Sequence, residues 1–409
     1  MSDLPDDITA GAMATPSYHY DLDEVRRSHA RLRAALPEPS EVYYSLKANP
    51  HPAIVSALHT AGCRAEVCSP GELQAALDAG VPAGKLLYTG PGKQDRAVED
   101  AVKAGVTEFS VDSPHGLDQL DETARRLDAP VRAVLRVNDS TPAPGQGLTM
   151  TGVASPFGAD AEWILAEPER FRSRPMARLV GFHLYMGTNV PDEDALMAQF
   201  TQSAATARTL ADVLGIEVEL LDLGGGFAAP YAREGELASY PTLAGRLAEL
   251  LDDGFPGWRE GRPAVAFESG RHLVATCGTL FTRVLDVKRS HGRRVLVLES
   301  GINHLGGMSG LRRLPQIAPA VLHGEPGGEP LADAMVTGPL CTPLDTWARA
   351  AEVADVRPGD VVRVPNVGAY GLSASLLAFL GHPAPVEVVV DGGRIVQESR
   401  LTLQRQPSN

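Results

Sequence analysis

From residue 42 onward, short apolar segments alternate with longer segments whose apolar residues recur every three or four positions. A short apolar run bounded by turn residues predicts a buried strand, and the longer spacing predicts an amphipathic helix. Helices are predicted, for instance, at 70–80 and 194–214. Eight strands are predicted, at 42–47, 64–67, 85–88, 108–111, 131–137, 179–184, 217–222 and 263–268.

Strands that alternate with helices pair in parallel through crossover connections. Eight such units within about 230 residues predict an α/β fold, a closed (β/α)8 TIM barrel over residues 24–274, with functional residues at the carboxyl ends of its strands. An open, doubly wound sheet is the alternative architecture. Segment 138–158 interrupts the alternation and is rich in Thr, Pro, Ser and Gly, which predicts a long loop over the barrel mouth.

Beyond residue 275 the chain reads as strands joined by turns, with one helical patch at 373–380. A mostly antiparallel β-domain is therefore expected over 275–409. An additional strand at 17–20 could pair with it, so residues 1–23 are assigned to the same domain. The strands of this domain are predicted at 278–287, 294–298, 333–336, 359–365 and 385–390.

The charge balance excludes some partners. The 409 residues contain 37 Lys and Arg against 51 Asp and Glu, a formal net charge of −14, which argues against nucleic acid and anionic membranes. No apolar run is long enough for a membrane span, and the first residues do not resemble a signal peptide, so a cytoplasmic protein is expected. The four cysteines show no CxxC pair and no accompanying His spacing, so neither a metal site nor a disulfide framework is predicted.

Lys47 ends the first apolar barrel strand, an unusual place for a charge. It is either a solvated lysine at the rim or a reactive amine. The ends of the other strands also carry polar or special residues. They are Glu66, Asp112, Arg136, Tyr185, Gly224 and Glu268.

Three successive glycines at 224–226 close the seventh strand. Without side chains, the backbone N–H groups can wrap closely around an anion. The loops after barrel strands seven and eight are a recurrent phosphate site, and Gly270 and Arg271 after the eighth strand could add donors. A flexible turn is the alternative for the three glycines.

Glu268 closes an apolar strand and therefore needs a cationic partner. That partner is either a protonated pyridine nitrogen or an arginine, Arg136 or Arg271. An amine, a phosphate cradle and a carboxylate at one barrel mouth match the aldehyde, the phosphate and the ring nitrogen of pyridoxal 5'-phosphate.

Taken together, the motifs resemble the fold-type III pyridoxal-phosphate decarboxylases, the family of ornithine and diaminopimelate decarboxylases. The resemblance implies the alanine racemase/ornithine decarboxylase-like fold and extends from residue 18 to about 399. It rests on YSLKAN at 44–49, GGGF at 224–227, ESGR at 268–271, GPLC at 338–341 and GAY at 368–370.

The resemblance assigns a role to each motif. Lys47 would bond to the cofactor aldehyde, and Glu268 would pair with the ring nitrogen. Cys341 would return a proton after carbon dioxide leaves and would come from the second subunit, which implies a homodimer with shared active sites. The phosphate would be held by Gly225, Gly226, Gly270, Arg271 and Tyr370, and further cofactor contacts would come from Glu66 and Arg136.

Segment 185–188 departs from the family's His-x-Gly-Ser pattern. Here Tyr185 would supply the aromatic face that stacks on the cofactor ring, and Thr188 the hydroxyl to the phosphate. His183, two residues earlier, is expected to be a packed or supporting histidine rather than the stacking residue.

The residue after Cys341 also departs from the family pattern. Decarboxylases of free diamino acids usually carry an acidic residue there, whereas this chain has Thr342. The variant resembles the siderophore and antibiotic branch, which implies a citryl-diaminopropionate conjugate or a carrier-tethered glutamate as substrate. Asp345 is expected either to contact the substrate or to cap a following helix, and Arg312 and Arg313 could face an acidic substrate.

Three alternatives to this function stay open. The first is a decarboxylase of a free diaminopimelate- or ornithine-type amino acid. The second is a racemase on the same barrel, which Glu268 at the ring nitrogen argues against, because an arginine there suits racemisation better. The third is a catalytically silent homologue that binds other proteins.

Overall fold

The computed structural model describes residues 14–139, 152–306, 320–321, 331–353 and 355–407. The chain divides into two compact units. The barrel unit contains residues 28–229 and 238–273, and the β-unit contains the other described residues.

Eight parallel strands close into a barrel in the first unit. The strands of this unit are β2 (Glu41–Ser45), β3 (Arg64–Val67), β4 (Leu86–Tyr88), β5 (Glu108–Val111), β6 (Val131–Asn138), β7 (Ala159–Asp160), β8 (Ala177–Leu184), β9 (Leu220–Asp222) and β10 (Ala264–Ser269). The barrel strands follow the order β5-β4-β3-β2-β10-β9-β8-β6, and β5 also pairs with β6, which closes the sheet. The short strand β7 pairs in parallel with the end of β6.

Helices connect these strands, as parallel pairing requires. Several of them begin with a capping side chain, because the serines of Ser-Pro pairs accept the N–H of the first helical turn: Ser69 accepts from Glu72, and Ser113 from Gly116. The helices are α1 (Leu22–Ala34), α2 (Pro52–Thr60), α3 (Pro70–Asp78), α4 (Asp95–Lys103), α5 (Pro114–Leu127), α6 (Ala161–Ala166), α7 (Glu193–Leu214), α8 (Leu243–Gly254) and α9 (Arg271–Val274).

The barrel interior is filled by side chains from six strands. This core cluster contains Tyr43, Leu87, Val134, Val180, Leu220 and Ala266, none more than 2% exposed. Because the barrel strands are buried on both faces, they read in the sequence as apolar runs rather than as alternating patterns.

The second unit is built around a nine-stranded sheet. Its strands are β1 (Ser17–Asp21), β11 (Gly278–Ser290), β12 (Arg293–Leu298), β13 (Ala320–Val321), β14 (Leu331–Thr337), β15 (Thr346–Val353), β16 (Val361–Val364), β17 (Val386–Asp391) and β18 (Arg394–Arg400). β1 lies between β11 and β17, antiparallel to the first and parallel to the second. Of the remaining pairings among described residues, only β12 with β14 is parallel.

The predicted fold class, a barrel plus a mostly antiparallel β-unit, is confirmed, and the open doubly wound sheet is wrong. The helical patch predicted at 373–380 is also wrong, because the chain forms only two short 3-10 turns there, Leu372–Ala374 and Phe379–Gly381. Leu380 has a φ of +56°, which breaks helical continuity. Of the loop predicted at 138–158, residues 140–151 lie outside the described ranges.

Within these described ranges, none of the helices combines the length and the apolar character that crossing a membrane requires.

Truncating the barrel core tests this packing. Leu87 is fully buried in the core cluster, so Leu87→Ala should lower the free energy of unfolding by about 2–5 kcal/mol through lost burial and a residual cavity. Leu165 on α6 is 42% exposed, so Leu165→Ala should change it by less than about 0.5 kcal/mol. Urea denaturation of both variants measures the difference, and equal effects would contradict the assignment of the core.

Candidate active site

Lys47 lies just beyond the end of β2, not within it as the sequence predicted. The strand ends at Ser45, and a 3-10 turn, Leu46–Ala48, buries its first and last side chains. The Lys47 side chain is 42% exposed, and its Nζ lies 3.4 Å from Oε1 of Glu66. The same nitrogen is 6.0 Å from the centre of the Tyr185 ring. One accessible amine is thus placed near a carboxylate and an aromatic ring.

Glu66 is the buried counter-ion of this amine. Thr89 donates a hydrogen bond of 2.7 Å to its Oε1. Burial alone would raise the pKa of Glu66, but the charge of Lys47 and hydrogen bonds from Ser45 and Thr89 outweigh burial and lower it to about 2. Glu66 is therefore ionised at neutral pH.

The three glycines form a turn that has no room for side chains. Gly224 and Gly226 have φ values of +70° and +110°, a region that glycine adopts without steric cost. A Cβ at Gly224 would lie 2.4 Å from the Leu184 carbonyl oxygen, and one at Gly225 would lie 2.3 Å from the Glu268 carbonyl oxygen. The turn therefore presents backbone alone, as an anion cradle requires.

Two contacts join this turn to the surroundings of Lys47. The Tyr185 ring lies against the glycines, since its Cδ2 would be 3.0 Å from a Cβ at Gly224. Gly270, after β10, packs against the Lys47 turn so closely that its Cβ would lie 2.8 Å from Cβ of Ala48. The amine, the aromatic ring and both glycine segments thus belong to one contiguous region.

A cluster of three buried ionisable side chains lies at the ends of β8, β9 and β10. Glu268, His183 and Asp222 are at most 2% exposed, and one polar atom of each lies within 4.8 Å of the others. Nε2 of His183 is 3.3 Å from Oε1 of Glu268, but neither atom has an aligned hydrogen-bond partner within the described part of the chain. Nδ1 of His183 lies 2.9 Å from the Ser110 hydroxyl.

Burial and mutual repulsion determine the charge of this cluster. Burial raises the pKa of Asp222, and the nearby Glu268 raises it further, to about 8, although His183 and the Gly224 N–H oppose the shift. Burial would lower the pKa of His183, but the charges of Glu268 and Asp222 outweigh burial and raise it. The cluster therefore holds protons that isolated side chains would release.

The sequence did not predict this cluster. A pyridine nitrogen or an arginine was expected beside Glu268, whereas the structure places His183 there. The strand order would have indicated the cluster. His183 and Asp222 occupy paired positions on neighbouring strands, and Asp222 also pairs in register with β10. Three ionisable residues at matching strand ends indicate proximity once the barrel order is known.

The other predicted barrel residues occupy the same carboxyl edge of the strands. Arg136 is 7% exposed, and its guanidinium lies 4.7 Å from the centre of the Phe157 ring. Asp112, after β5, accepts a 2.7 Å hydrogen bond from the Gly158 N–H. Thr188 and Arg271 are half-buried.

In the β-unit, Asp345 is enclosed by backbone. Its two oxygens accept the N–H groups of Ile302 at 2.8 Å and Leu340 at 2.7 Å. The prediction that it caps a following helix is wrong, because β15 follows. These contacts account for the buried carboxylate without a substrate, so a substrate contact stays a prediction that this geometry does not favour.

The remaining predicted residues of the β-unit differ in accessibility. Cys341 is exposed, and Thr342 beside it is half-buried. Tyr370 has a φ of +54°, and its carbonyl accepts a 3.1 Å hydrogen bond from the Tyr231 hydroxyl. Arg312 and Arg313 lie outside the described residues.

Comparison with known proteins places this site in a family context. Residues 22–275 match the family model described as pyridoxal-dependent decarboxylase, pyridoxal binding domain. The L-glutamyl-[BtrI acyl-carrier protein] decarboxylase of Niallia circulans is 31% identical over 93% of this chain and 89% of its own length.

Two further comparisons extend the similarity over nearly the whole chain. The 2-[(L-alanin-3-ylcarbamoyl)methyl]-2-hydroxybutanedioate decarboxylase of Staphylococcus aureus is 29% identical over 91% of this chain and 94% of its own length. The crystal structure of diaminopimelate decarboxylase from Helicobacter pylori, complexed with L-lysine, superposes with a TM-score of 0.82 at 25% identity over 95% of both chains.

The protonation of Asp222 can be tested through stability. Its pKa is raised from an ordinary 3.8 to about 8, so the folded protein binds more protons than the unfolded chain between these values. The stabilisation is fully present below pH 3.8 and is lost as pH rises toward 8. Asp222→Asn cannot ionise, so its melting temperature should rise relative to the unsubstituted protein between pH 5 and pH 8.

Thermal unfolding of the cofactor-free proteins at both pH values measures this difference. Asp253→Asn, at a side chain that is 87% exposed, is the matched control and should show no such trend. A difference for Asp222→Asn that stays constant or falls with pH would contradict a protonated Asp222.

Proposed function

Since the chain belongs to the pyridoxal-dependent decarboxylase family, we propose that it decarboxylates an amino acid presented as a conjugate rather than a free diamino acid. Pyridoxal phosphate as the cofactor and amino-acid decarboxylation as the reaction were predicted from the motifs, and this membership confirms both. The residue roles and the substrate class below are proposals.

The barrel residues fit the cofactor. The glycine turn excludes side chains where a phosphate would approach, and Lys47 is an accessible amine beside an ionised carboxylate. Oε1 of Glu268 is buried without an aligned donor among the described residues, which is the condition that a pyridine N–H would satisfy. The donor set therefore matches the aldehyde, the phosphate and the ring nitrogen.

The residues that flank the ring follow from this fit. Lys47 would bond to the aldehyde, with Glu66 as the charge that positions its amine, and Glu268 would hold the ring nitrogen in its protonated form. When bound, the cofactor supplies the electron sink that takes up the bonding electrons of the departing carboxylate. The phosphate would be held by Gly225, Gly226, Gly270, Arg271, Thr188 and Tyr370.

Tyr185 and Cys341 complete the proposed machinery. The Tyr185 ring packs on the glycine turn and would present its face to the cofactor ring. Cys341, an exposed thiol in the β-unit, would donate the proton of its Sγ to the carbon that has lost carbon dioxide. By the family resemblance, this thiol comes from the partner subunit, so the proposed active form is a homodimer with shared sites.

The substrate proposal rests on the loop at 341–345. A free diamino acid needs an acidic group to pair with its distal ammonium. Asp345 is the only acidic residue of this loop, and its two oxygens are occupied by the N–H groups of Ile302 and Leu340. The loop instead offers the Thr342 hydroxyl and the Leu344 side chain, which is 71% exposed. A neutral, partly apolar surface suits an acyl conjugate better than an ammonium group.

A glutamate attached to a carrier protein is the first candidate substrate. The relative from Niallia circulans is named for a glutamyl group on an acyl-carrier protein. A citryl-type conjugate of a diamino acid is the second, because the relative from Staphylococcus aureus is named for a hydroxybutanedioate derivative of alanine. In both conjugates, the linkage to the carrier or to the citryl group lies where a free diamino acid carries its distal ammonium.

Carbon dioxide release from a substrate panel tests the proposal. The purified, cofactor-loaded protein would be offered a glutamyl-carrier thioester, a citryl-diaminopropionate conjugate, diaminopimelate, ornithine and lysine. We expect kcat/KM for one of the conjugates to exceed that for every free diamino acid by at least about 100-fold, the effect of leaving a charge without its partner.

Lys47→Ala is the control for cofactor chemistry. It should abolish both the visible absorbance of the bound cofactor and the release of carbon dioxide from every substrate. A free diamino acid as the best substrate would overturn the substrate class and leave the family assignment unchanged. Turnover that survives in Lys47→Ala would instead remove this lysine from the site.

Cys341→Ala should retain the visible absorbance of the bound cofactor but give little of the normal amine product. Cys63→Ala removes a buried thiol immediately before β3, at the end of the strand away from the barrel mouth. This control variant should retain normal product. If two subunits share each site, mixing inactive Lys47→Ala and Cys341→Ala proteins should restore activity to about a quarter of normal through one intact site per mixed dimer. Normal amine formation by Cys341→Ala alone would refute its role.

A further inference from the structure

Glu268 shares a buried surrounding with a second carboxyl group. It is 2% exposed, and Asp222, which is completely buried, lies in the same cluster. Two carboxylates that share a buried site cannot both ionise without a compensating charge or donor. The one nitrogen group of the cluster is the His183 imidazole, whose Nε2 is 3.3 Å from Oε1 of Glu268.

His183 is itself fixed on its far side. Its Nδ1 lies 2.9 Å from the Ser110 hydroxyl, and Ser110 is 1% exposed on β5. A serine hydroxyl can donate to Nδ1, which leaves the proton of a neutral imidazole on Nε2, facing Glu268. Ser110, His183 and Glu268 therefore form a chain across the barrel interior from β5 through β8 to β10.

We propose that His183 is a positioning residue for Glu268: anchored by Ser110, its imidazole aims the carboxylate at the cofactor's ring nitrogen. The inference rests on the proposed function, because it takes Glu268 as the partner of the ring nitrogen. It assigns His183 no contact with the cofactor; that role remains with Tyr185, which follows β8 and packs against the glycine turn.

Two further charged side chains, Glu66 and Arg136, act on this cluster. Asp222 interacts with Glu66 on β3 as well as with Glu268, and its Oδ1 accepts the Gly224 N–H at 2.9 Å. The positive charge of Arg136 on β6 lowers the pKa of His183 and so opposes its protonation. Among these groups, only His183 is within 4 Å of a Glu268 oxygen in the described ion pairs.

Two ligands isolate the contact with the ring nitrogen from the chemistry of Lys47. Pyridoxine 5'-phosphate has the ring nitrogen and the phosphate but no aldehyde, so it cannot bond to the lysine. Its analogue with C–H in place of the ring nitrogen lacks only the proposed contact with Glu268. The ratio of their dissociation constants, measured by titration of the cofactor-free protein, reports this contact alone.

The variants are His183→Leu, His183→Gln, Ser110→Ala and Glu268→Gln. The unsubstituted protein should prefer the nitrogen ligand by at least about tenfold, as expected for a charge-assisted hydrogen bond. His183→Leu should reduce this preference to less than about threefold, whereas His183→Gln, whose amide can still donate, should retain part of it. Ser110→Ala should cause a smaller loss in the same direction.

The outcomes separate this inference from the proposed function. A nitrogen preference that is lost in Glu268→Gln but retained in His183→Leu overturns the role of His183 alone. A preference that is absent from the unsubstituted protein, or intact in Glu268→Gln, removes Glu268 from the ring nitrogen and the inference with it. If His183 serves only folding, both ligands should weaken equally and the melting temperature of the cofactor-free protein should fall, which also overturns the proposal.

Discussion

Closure of the eight-stranded sheet is the constraint on which the site depends. The pairing of β10 with β2 brings Glu268 into register with Tyr43, near the end of the strand that leads to Lys47, although the two ends are far apart in the sequence. Parallel strands also end on the same side, so each charged residue that terminates a strand lies at one mouth. The chemistry of this unit therefore follows from barrel order and strand length.

Neighbouring groups decide why two equally buried carboxyl groups at this mouth differ in protonation. Glu66 and Asp222 are both almost completely buried, yet Glu66 has a pKa of about 2 and Asp222 one of about 8. Glu66 lies beside an amine and accepts from two hydroxyl groups, whereas Asp222 lies beside another carboxylate. One barrel mouth thus holds both an ionised and a protonated carboxyl group.

Most of the barrel could be predicted from sequence, because buried parallel strands are apolar runs between helices. The exposed strand β18 (Arg394–Arg400) could not, since six of its seven residues are solvent-exposed and carry no apolar pattern. Lys47, Glu66 and Glu268 were identifiable as charges that end apolar strands. The contact of His183 with Glu268 depends on which strands become neighbours, and the enclosure of Asp345 depends on a tertiary fold, so neither is written in a local pattern.

The position of β1 has a consequence for how the protein is made. This strand precedes the whole barrel in the chain, yet it lies between β11 and β17, the latter at Val386–Asp391. During synthesis, it must leave the ribosome long before either neighbour exists, and its edges stay unpaired while the barrel emerges. The β-unit can complete its central sheet only when nearly the entire polypeptide has been translated, so truncated nascent chains should need chaperone protection.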